Sequence, residues 1–113
     1  MTPQGRQRLR TAGWTMPPNA RYVGRGQGDY GKFGNPFRMQ GNTWGEHLAV
    51  VDLHREHLER RAAGKPHQLP ANYPSDDEIR RELAGLDLVC WCREGWPCHR
   101  NTLLAIANEG DHV

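Results

Sequence analysis

The three cysteines of this 113-residue chain lie within nine residues of one another, and a histidine follows the last of them. Cysteine and histidine are ligands that zinc prefers, and a tetrahedral zinc site needs four ligands. Cys90, Cys92, Cys98 and His99 supply that number, so they are candidate ligands of a zinc ion. The spacing lacks the usual pattern of two paired ligands, and two adjacent residues such as Cys98 and His99 rarely bind the same ion.

The same residues permit two other interpretations. Cys90 follows an apolar run and could be a small buried residue, because cysteine is often found in cores. Cys98 precedes a predicted helix, whose amino end lowers the pKa of a thiol, and His99 beside it could act as a base. Cys98 and His99 are therefore candidate catalytic residues, with nucleophilic or proton-transfer chemistry.

A glycine-rich segment, residues 24–41, forms the second candidate site. Its candidate ligand-binding residues are Gly24, Arg25, Gly26, Gly34, Asn35 and Pro36. Glycines let a ligand approach the backbone closely, the arginine could pair with a phosphate, and the asparagine could orient a base or sugar beside a rigid turn. The segment does not lead directly into a helix, so it fails the test for a dinucleotide-binding fingerprint. The alternative is an ordinary surface loop rich in glycine and proline.

A long helix is predicted from Thr43 to about Ala63. Its apolar stripe comprises Trp44, Leu48, Val51, Leu58 and Ala62,. Arg55 falls within that stripe, where it could face a bound phosphate or pair with an acid. His47 and His54 flank the stripe and are expected on partly exposed surface.

The charges are distributed unevenly along the chain. Residues 1–45 hold seven basic residues and one acidic residue, whereas residues 46–113 hold eight basic and twelve acidic residues. A basic half suggests a partner with negative charge, either a nucleotide or a nucleic acid, although a solvated basic arm gives the same count. No apolar run is long enough for a membrane span, and no signal peptide is recognisable. The odd number of cysteines suits a reducing compartment, so a cytoplasmic location is expected.

The elements that would position these residues are of the α/β class. Strands are predicted at residues 14–16, 21–25 and 86–91, and helices at residues 43–63, 75–83 and 99–108. This order favours a small Rossmann-like parallel sheet with about three helices packed on it. Residues 1–18 are predicted to be a flexible basic arm, and residues 19–110 a single domain. Because ligands bind at the carboxyl ends of parallel strands, both candidate segments are expected at one edge of the sheet.

Four motifs together resemble the domain-of-unknown-function family 4326, short proteins of bacteria and their phages. The motifs are Tyr22-Val23-Gly24-Arg25-Gly26, Gly34-Asn35-Pro36-Phe37, Cys90-Trp91-Cys92 and Pro97-Cys98-His99. The resemblance covers about residues 20–110 and implies a compact α/β domain related to Rossmann-like nucleotide-binding proteins, which include nucleotide N-glycoside hydrolases. A phage-encoded member would act in the host cytoplasm. Arg100 departs from the family pattern, which often has glycine at this position.

Three functions follow as hypotheses. The first is a nucleotide- or nucleobase-binding domain, which could also hydrolyse an N-glycosidic or phosphate bond. The second is a non-catalytic phage factor that binds a host protein or a nucleic acid. The third is a structural domain stapled by zinc.

Overall fold

The computed structural model describes residues 3–39, 41–93 and 95–108. Its elements in chain order are the strands β1 (Gly5–Gln7) and β2 (Ala20–Tyr22), a 3-10 turn (Gly28–Gly31), the helices α1 (Trp44–Ala62) and α2 (Asp76–Leu83), the strand β3 (Asp87–Cys90) and the helix α3 (His99–Ala107). The described residues therefore form a small α/β fold, as the order of the predicted elements indicated.

The three strands form one parallel sheet in the order β1-β3-β2. The central strand β3 lies beside both others, with Val89 opposite Arg6 on one side and Tyr22 on the other. Leu88 and Val89 are fully buried, as expected for a strand that is covered on both faces. Because β2 and β3 are parallel, their carboxyl ends meet at the same edge, so the predicted convergence of the two segments is confirmed.

The segment predicted to be a flexible arm contributes a strand. The Leu88 amide donates to the Gln4 carbonyl at 2.9 Å, and the Arg8 amide donates to the Cys90 carbonyl at 2.7 Å. Arg6 also forms an ion pair with Asp87 at 2.6 Å. The prediction of flexibility is therefore wrong for β1. A polar edge strand carries no alternating apolar pattern, since its backbone rather than its side chains holds it to the sheet.

The predicted strand at residues 14–16 is also wrong, because these residues form no strand in the structure.

The starts of the first two helices are confirmed. Thr43 caps α1 by accepting from the Glu46 amide at 3.2 Å, and Ser75 caps α2 by accepting from the Glu78 amide at 3.1 Å. Thr43 and Ser75 are the N-cap residues of the two capping boxes that the sequence predicts.

The buried face of α1 differs from the predicted stripe. His47, His54 and Leu58 are its buried residues, whereas Trp44 is half exposed. The prediction that His47 and His54 lie on partly exposed surface is therefore wrong. Both imidazoles become buried because each finds a hydrogen-bond partner, and a buried polar group needs one. His47 pairs with Asn42 and His54 with Tyr73.

The core lies between the sheet and the helices. It comprises Val23, Phe33, Leu58, Leu69, Tyr73, Ile79, Leu83, Leu88, Leu103 and Ala107. Helices α2 and α3 pack against each other, and α3 also contacts α1 and β3. Among the described residues, no helix combines the length and the apolar character that crossing a membrane would require.

Candidate functional site

A cavity of about 420 Å³ opens at the carboxyl ends of β2 and β3. Its lining residues are Tyr22, Gly24, Arg25, Asn35, Met39, Asn42, His47, Val50, Val51, Cys90, Trp91, Cys92, Pro97 and His99. The cavity therefore joins the glycine-rich segment, the cysteine segment and one face of α1. Edges of this kind are where parallel α/β sheets bind ligands.

The three cysteines converge beside this cavity. Cys90 ends β3, Cys92 lies two residues later, and Cys98 immediately precedes α3. The sulfurs of Cys90 and Cys92 are 3.7 Å apart, and all three sulfurs lie within 4.8 Å of one another. None of the three forms a disulfide bond. Three thiols this close can hold a metal ion.

The close packing of the thiols makes their acidities unequal. Hydrogen bonds from Cys92 and Cys98 hold the pKa of Cys90 well below its ordinary value. The pKa of Cys92 is raised by its hydrogen bond to Cys90 and by burial, and the pKa of Cys98 is raised by the same kinds of contact. In this arrangement the sulfur that ionises most readily is that of Cys90, at the wall of the cavity.

His99 lies beside the cysteines but outside the group of ligand atoms. Its Nε2 donates to the Val23 carbonyl at 2.6 Å, which leaves Nδ1 as the acceptor nitrogen of the neutral ring,. This Nδ1 is 3.8 Å from the sulfur of Cys98. Burial lowers the pKa of His99, so the ring is neutral. The structure thus brings three of the four predicted zinc ligands together and holds the fourth against the backbone of the residue after β2.

The glycine-rich segment is folded on itself at the other side of the cavity. Arg25 donates through Nη2 to the Phe37 carbonyl at 2.6 Å. Asn35 accepts from the Phe37 amide at 2.9 Å and donates to the Val50 carbonyl at 3.0 Å, which ties the turn to α1. A Cβ on Gly24 would clash with the Tyr22 hydroxyl and ring, so any other residue here would displace the Tyr22 side chain. The Tyr22 hydroxyl itself donates to the Arg25 carbonyl at 2.8 Å.

A second cavity of about 580 Å³ adjoins the first along this segment. Gly26, Gly34 and Pro36 line it, together with the basic residues Lys32 and Arg38. A Cβ on Gly34 would lie 3.1 Å from the Gly24 carbonyl oxygen, so the chain crosses itself closely here. Arg25 and Asn35 line both cavities. The predicted ligand-binding residues of this segment therefore border two cavities, and Arg25 and Asn35 belong to the walls of both.

Arg55 lies apart from the other predicted ligand-binding residues. Its side chain is 54% exposed and pairs with Asp52 at 3.1 Å and with Glu59 at 3.9 Å. It lines a different cavity, with residues of α1, α2 and α3. The sequence predicts that Arg55 either faces a bound phosphate or pairs with an acid, and in the structure it pairs with acids.

Two features of the site were not identified from the sequence. The buried His47 lines the cavity and donates to the Asn42 Oδ1 at 2.8 Å, and its ring meets the edge of Trp96. The seven-residue spacing between His47 and His54 places both on one helix face, and this spacing could have indicated their burial.

Glu94, the acid of the loop before Cys98, lies outside the described residues.

The second feature is a surface of arginines over aromatic rings beside the cavity. The guanidinium of Arg8 lies 5.1 Å from the ring centre of Trp91 and 5.9 Å from that of Trp14. The guanidinium of Arg10 lies 4.8 Å from the ring centre of Trp91, which is 39% exposed. The sequence places these residues far apart, so only the pairing of β1 with β3 brings them together.

Comparison with known proteins gives a family without a function. A family model described as "Domain of unknown function (DUF4326)" matches residues 6–109, from within β1 to just beyond α3. No curated protein and no solved structure matches the chain.

Proposed function

The chain belongs to this family of unknown function, and from the geometry of its cavity we propose that it is a nucleotide- or nucleobase-binding domain. The observation that carries this proposal is the cavity itself, at the carboxyl edge of a parallel sheet. Its volume of about 420 Å³ falls within the range of about 300–1,000 Å³ typical of small-molecule sites,. Both motif segments contribute to its walls.

The lining suits a planar, partly polar ligand. Val50 and Val51 supply apolar surface, and the Tyr22 and Trp91 rings border the opening. Asn42 and His47 supply polar groups that a base edge can contact. This combination of apolar walls with a few polar groups is the usual composition of a ligand site. The first cavity therefore accommodates the base.

Arg25 is the candidate phosphate ligand. It borders both cavities, and the second cavity is lined by glycines and by a further cation, Arg38. The hydrogen bond to the Phe37 carbonyl uses one of the five N–H groups of its guanidinium,. A nucleotide with its base in the first cavity would direct its phosphate toward Arg25 and the glycine-rich cleft.

Calorimetric titration with a panel of bases, nucleosides and nucleotides tests this assignment. Arg25→Ala should weaken nucleotide binding roughly tenfold to a hundredfold, the loss expected for a charge-assisted hydrogen bond, and should leave free-base binding unchanged. Arg55→Ala is the matched control, because Arg55 is an exposed arginine at a separate cavity. Failure of the wild-type protein to bind any member of the panel would overturn the proposal.

Hydrolysis of an N-glycosidic or phosphate bond stays a prediction, with Cys98 and His99 as its candidate residues. The cavity reaches His99, and the acceptor nitrogen of His99 faces the Cys98 sulfur at 3.8 Å. Chromatography of the titration mixtures would detect any released base or phosphate.

A nucleic acid is the second candidate ligand, and the arginine–aromatic surface favours it. Arg8, Arg10, Trp14 and Trp91 combine positive charge with aromatic faces, and single-stranded nucleic acids bind to such surfaces by stacking and by phosphate contacts,. The side of Trp91 that is exposed is available for a base.

Fluorescence anisotropy with a labelled single-stranded oligonucleotide tests this candidate. Affinity should fall steeply as salt increases, because the bound strand releases counterions, and Arg10→Ala should make the dependence on salt shallower. Arg60→Ala on the exposed side of α1 should leave it unchanged, since Arg60 pairs with Glu56 away from this surface. Binding that is insensitive to salt, or absent, would contradict the proposal.

Zinc is the metal ion that we propose for the three cysteines. Thiolate sulfur is a soft ligand and favours zinc over magnesium, calcium or manganese. The cysteines are free thiols, which suits a reducing compartment, and we propose the cytoplasm as the location on this ground,.

A further inference from the structure

We propose that Cys90, Cys92 and Cys98 form a metal centre with three protein ligands, whose fourth coordination position opens into the 420 Å³ cavity. The metal ion would then contact the bound ligand directly, in addition to stabilising the fold. This inference rests on the proposed zinc ion and deepens the proposed function, because it assigns the metal a place in ligand recognition.

The distances between the sulfurs fit such a centre. Zinc binds sulfur at about 2.3 Å, and in a tetrahedral site two such sulfurs lie about 3.8 Å apart. The sulfurs of Cys90 and Cys92 are 3.7 Å apart, and that of Cys98 lies within 4.8 Å of both. An ion can therefore be bound with only a small movement of one side chain.

The surroundings of the cysteines supply positive charge. Three thiolates around a divalent ion carry one net negative charge, which is costly to bury without compensation. Arg100 is 3% exposed, and its Nη1 donates to the carbonyls of Arg6 and Cys92 at 3.1 and 3.2 Å. Cys98 also immediately precedes the first residue of α3, where the helix dipole favours a negative sulfur,. A buried cation and a helix terminus therefore both face this cluster.

His99 is not positioned to complete the centre. The ligand atoms that lie within 4.8 Å of one another are the three sulfurs, without a nitrogen of His99. The hydrogen bond from Nε2 to the Val23 carbonyl, at 2.6 Å, orients the ring with Nδ1 3.8 Å from the Cys98 sulfur, yet this nitrogen is not in the group that the three sulfurs form. Cys90 and Cys92 both line the cavity, as does His99. The side of the centre without a protein ligand among the described residues is therefore the side toward the cavity.

The chemistry of the open position defines the class of ligand. A zinc site with three protein ligands keeps its fourth position for water or an external donor. Zinc accepts imidazole-type nitrogen readily, and a purine ring carries nitrogens of this kind. A heteroaromatic ring nitrogen is therefore the donor that we expect at this position, in agreement with a nucleobase in the first cavity.

The test uses the full chain purified without chelators. Elemental analysis should give one equivalent of zinc per chain, and X-ray absorption at the zinc edge should give three sulfurs and one lighter neighbour without imidazole scattering. Cys92→Ala, at the least buried of the three cysteines, should lower the zinc content below half an equivalent while circular dichroism shows a folded protein. His99→Gln should keep the full equivalent, because glutamine retains a donor for the Val23 carbonyl.

Cobalt exchanged for zinc then reports on the open position. Added imidazole should shift the visible bands of the cobalt protein, since it enters the fourth position. Less than half an equivalent of zinc in the wild-type protein would overturn the centre. In protein freed of co-purified nucleotide, imidazole scattering before imidazole is added would overturn the three-ligand assignment, and cobalt bands that imidazole leaves unmoved would overturn the open position.

Failure of this inference is distinguishable from failure of the proposed function. Nucleotide binding measured by calorimetry, with cobalt bands that imidazole does not move, would contradict the open position alone. Bands that move, in a protein that binds no member of the panel, would contradict the nucleotide proposal alone.

Discussion

At the scale of single residues, His54 is a buried imidazole with a fixed orientation. The Tyr73 hydroxyl donates to the Phe33 carbonyl at 3.3 Å, so it accepts from His54 Nε2 at 2.8 Å. The other nitrogen, Nδ1, is buried and has no hydrogen-bond partner among the described residues. Burial therefore lowers the pKa of His54 to about 3, from 6.5 in an exposed histidine. The folded protein holds this ring neutral.

This shift predicts a loss of stability in mild acid. Between about pH 6.5 and pH 3 the unfolded chain binds a proton at His54 that the folded chain does not bind. The free energy of unfolding should therefore fall as the pH decreases through this window, by up to roughly 1.4 kcal/mol per pH unit from this residue. Urea denaturation of the wild-type protein and of His54→Gln, between about pH 7 and pH 5, isolates the effect.

The glutamine variant should show a shallower dependence on pH, because its amide does not titrate and can still donate to the Tyr73 hydroxyl. His67→Gln, at an exposed histidine, is the control and should keep the wild-type slope. Equal slopes in the wild-type protein and His54→Gln would contradict the assignment.

At the scale of elements, the features that the sequence predicts correctly are local. The capping boxes at Thr43 and Ser75 depend on contacts over three residues, so the starts of α1 and α2 can be predicted from adjacent sequence. The strand β3 is an apolar run, which is also a local signal. The glycine-rich segment and the cysteine segment lie at one edge of the sheet because β2 and β3 are parallel. This pairing can be inferred from the order of the predicted elements.

The features that the sequence does not predict depend on distant partners. The strand β1 has no apolar pattern, and its position follows from backbone hydrogen bonds to residues more than eighty positions away. The buried face of α1 follows from Asn42 and Tyr73, which satisfy His47 and His54. The position of the His99 ring beside the cysteines depends on its hydrogen bond to the Val23 carbonyl. The spacing of residues within the cysteine segment cannot predict this contact.

At the scale of the whole molecule, the two oppositely charged halves of the chain partly neutralise each other. Arg6 pairs with Asp87, Arg21 pairs with Glu82, and Lys32 pairs with both Glu78 and Glu82. The excess of basic residues in the first half is therefore not all available to an anion. Arg10, which lies over the Trp91 ring, is a better candidate for an external partner.

The topology of the sheet makes the stability of the domain depend on the amino-terminal segment. The last strand among the described residues, β3, lies between two strands from the first 22 residues, so the sheet is complete only when the amino-terminal segment pairs. Arg100 reinforces this pairing, since its stem packs under Gly5 and its guanidinium reaches the Arg6 carbonyl. The segment before β2 is thus part of the folded unit over residues 4–8.

Deletion of residues 2–8 should therefore destabilise the whole domain. It removes the hydrogen bonds of Gln4 to Leu88 and Asp87, that of Arg8 to Cys90 and that of Arg6 to Arg100. At about 1 kcal/mol for each of these four hydrogen bonds, the free energy of unfolding measured in urea should fall by about 4 kcal/mol. Deletion of residues 2–3 is the matched control and should change it little, because Gln4 and β1 remain. If both deletions left the free energy of unfolding at the wild-type value, the amino-terminal segment would be the flexible arm that its composition suggests, and its pairing with β3 would contribute nothing to the fold.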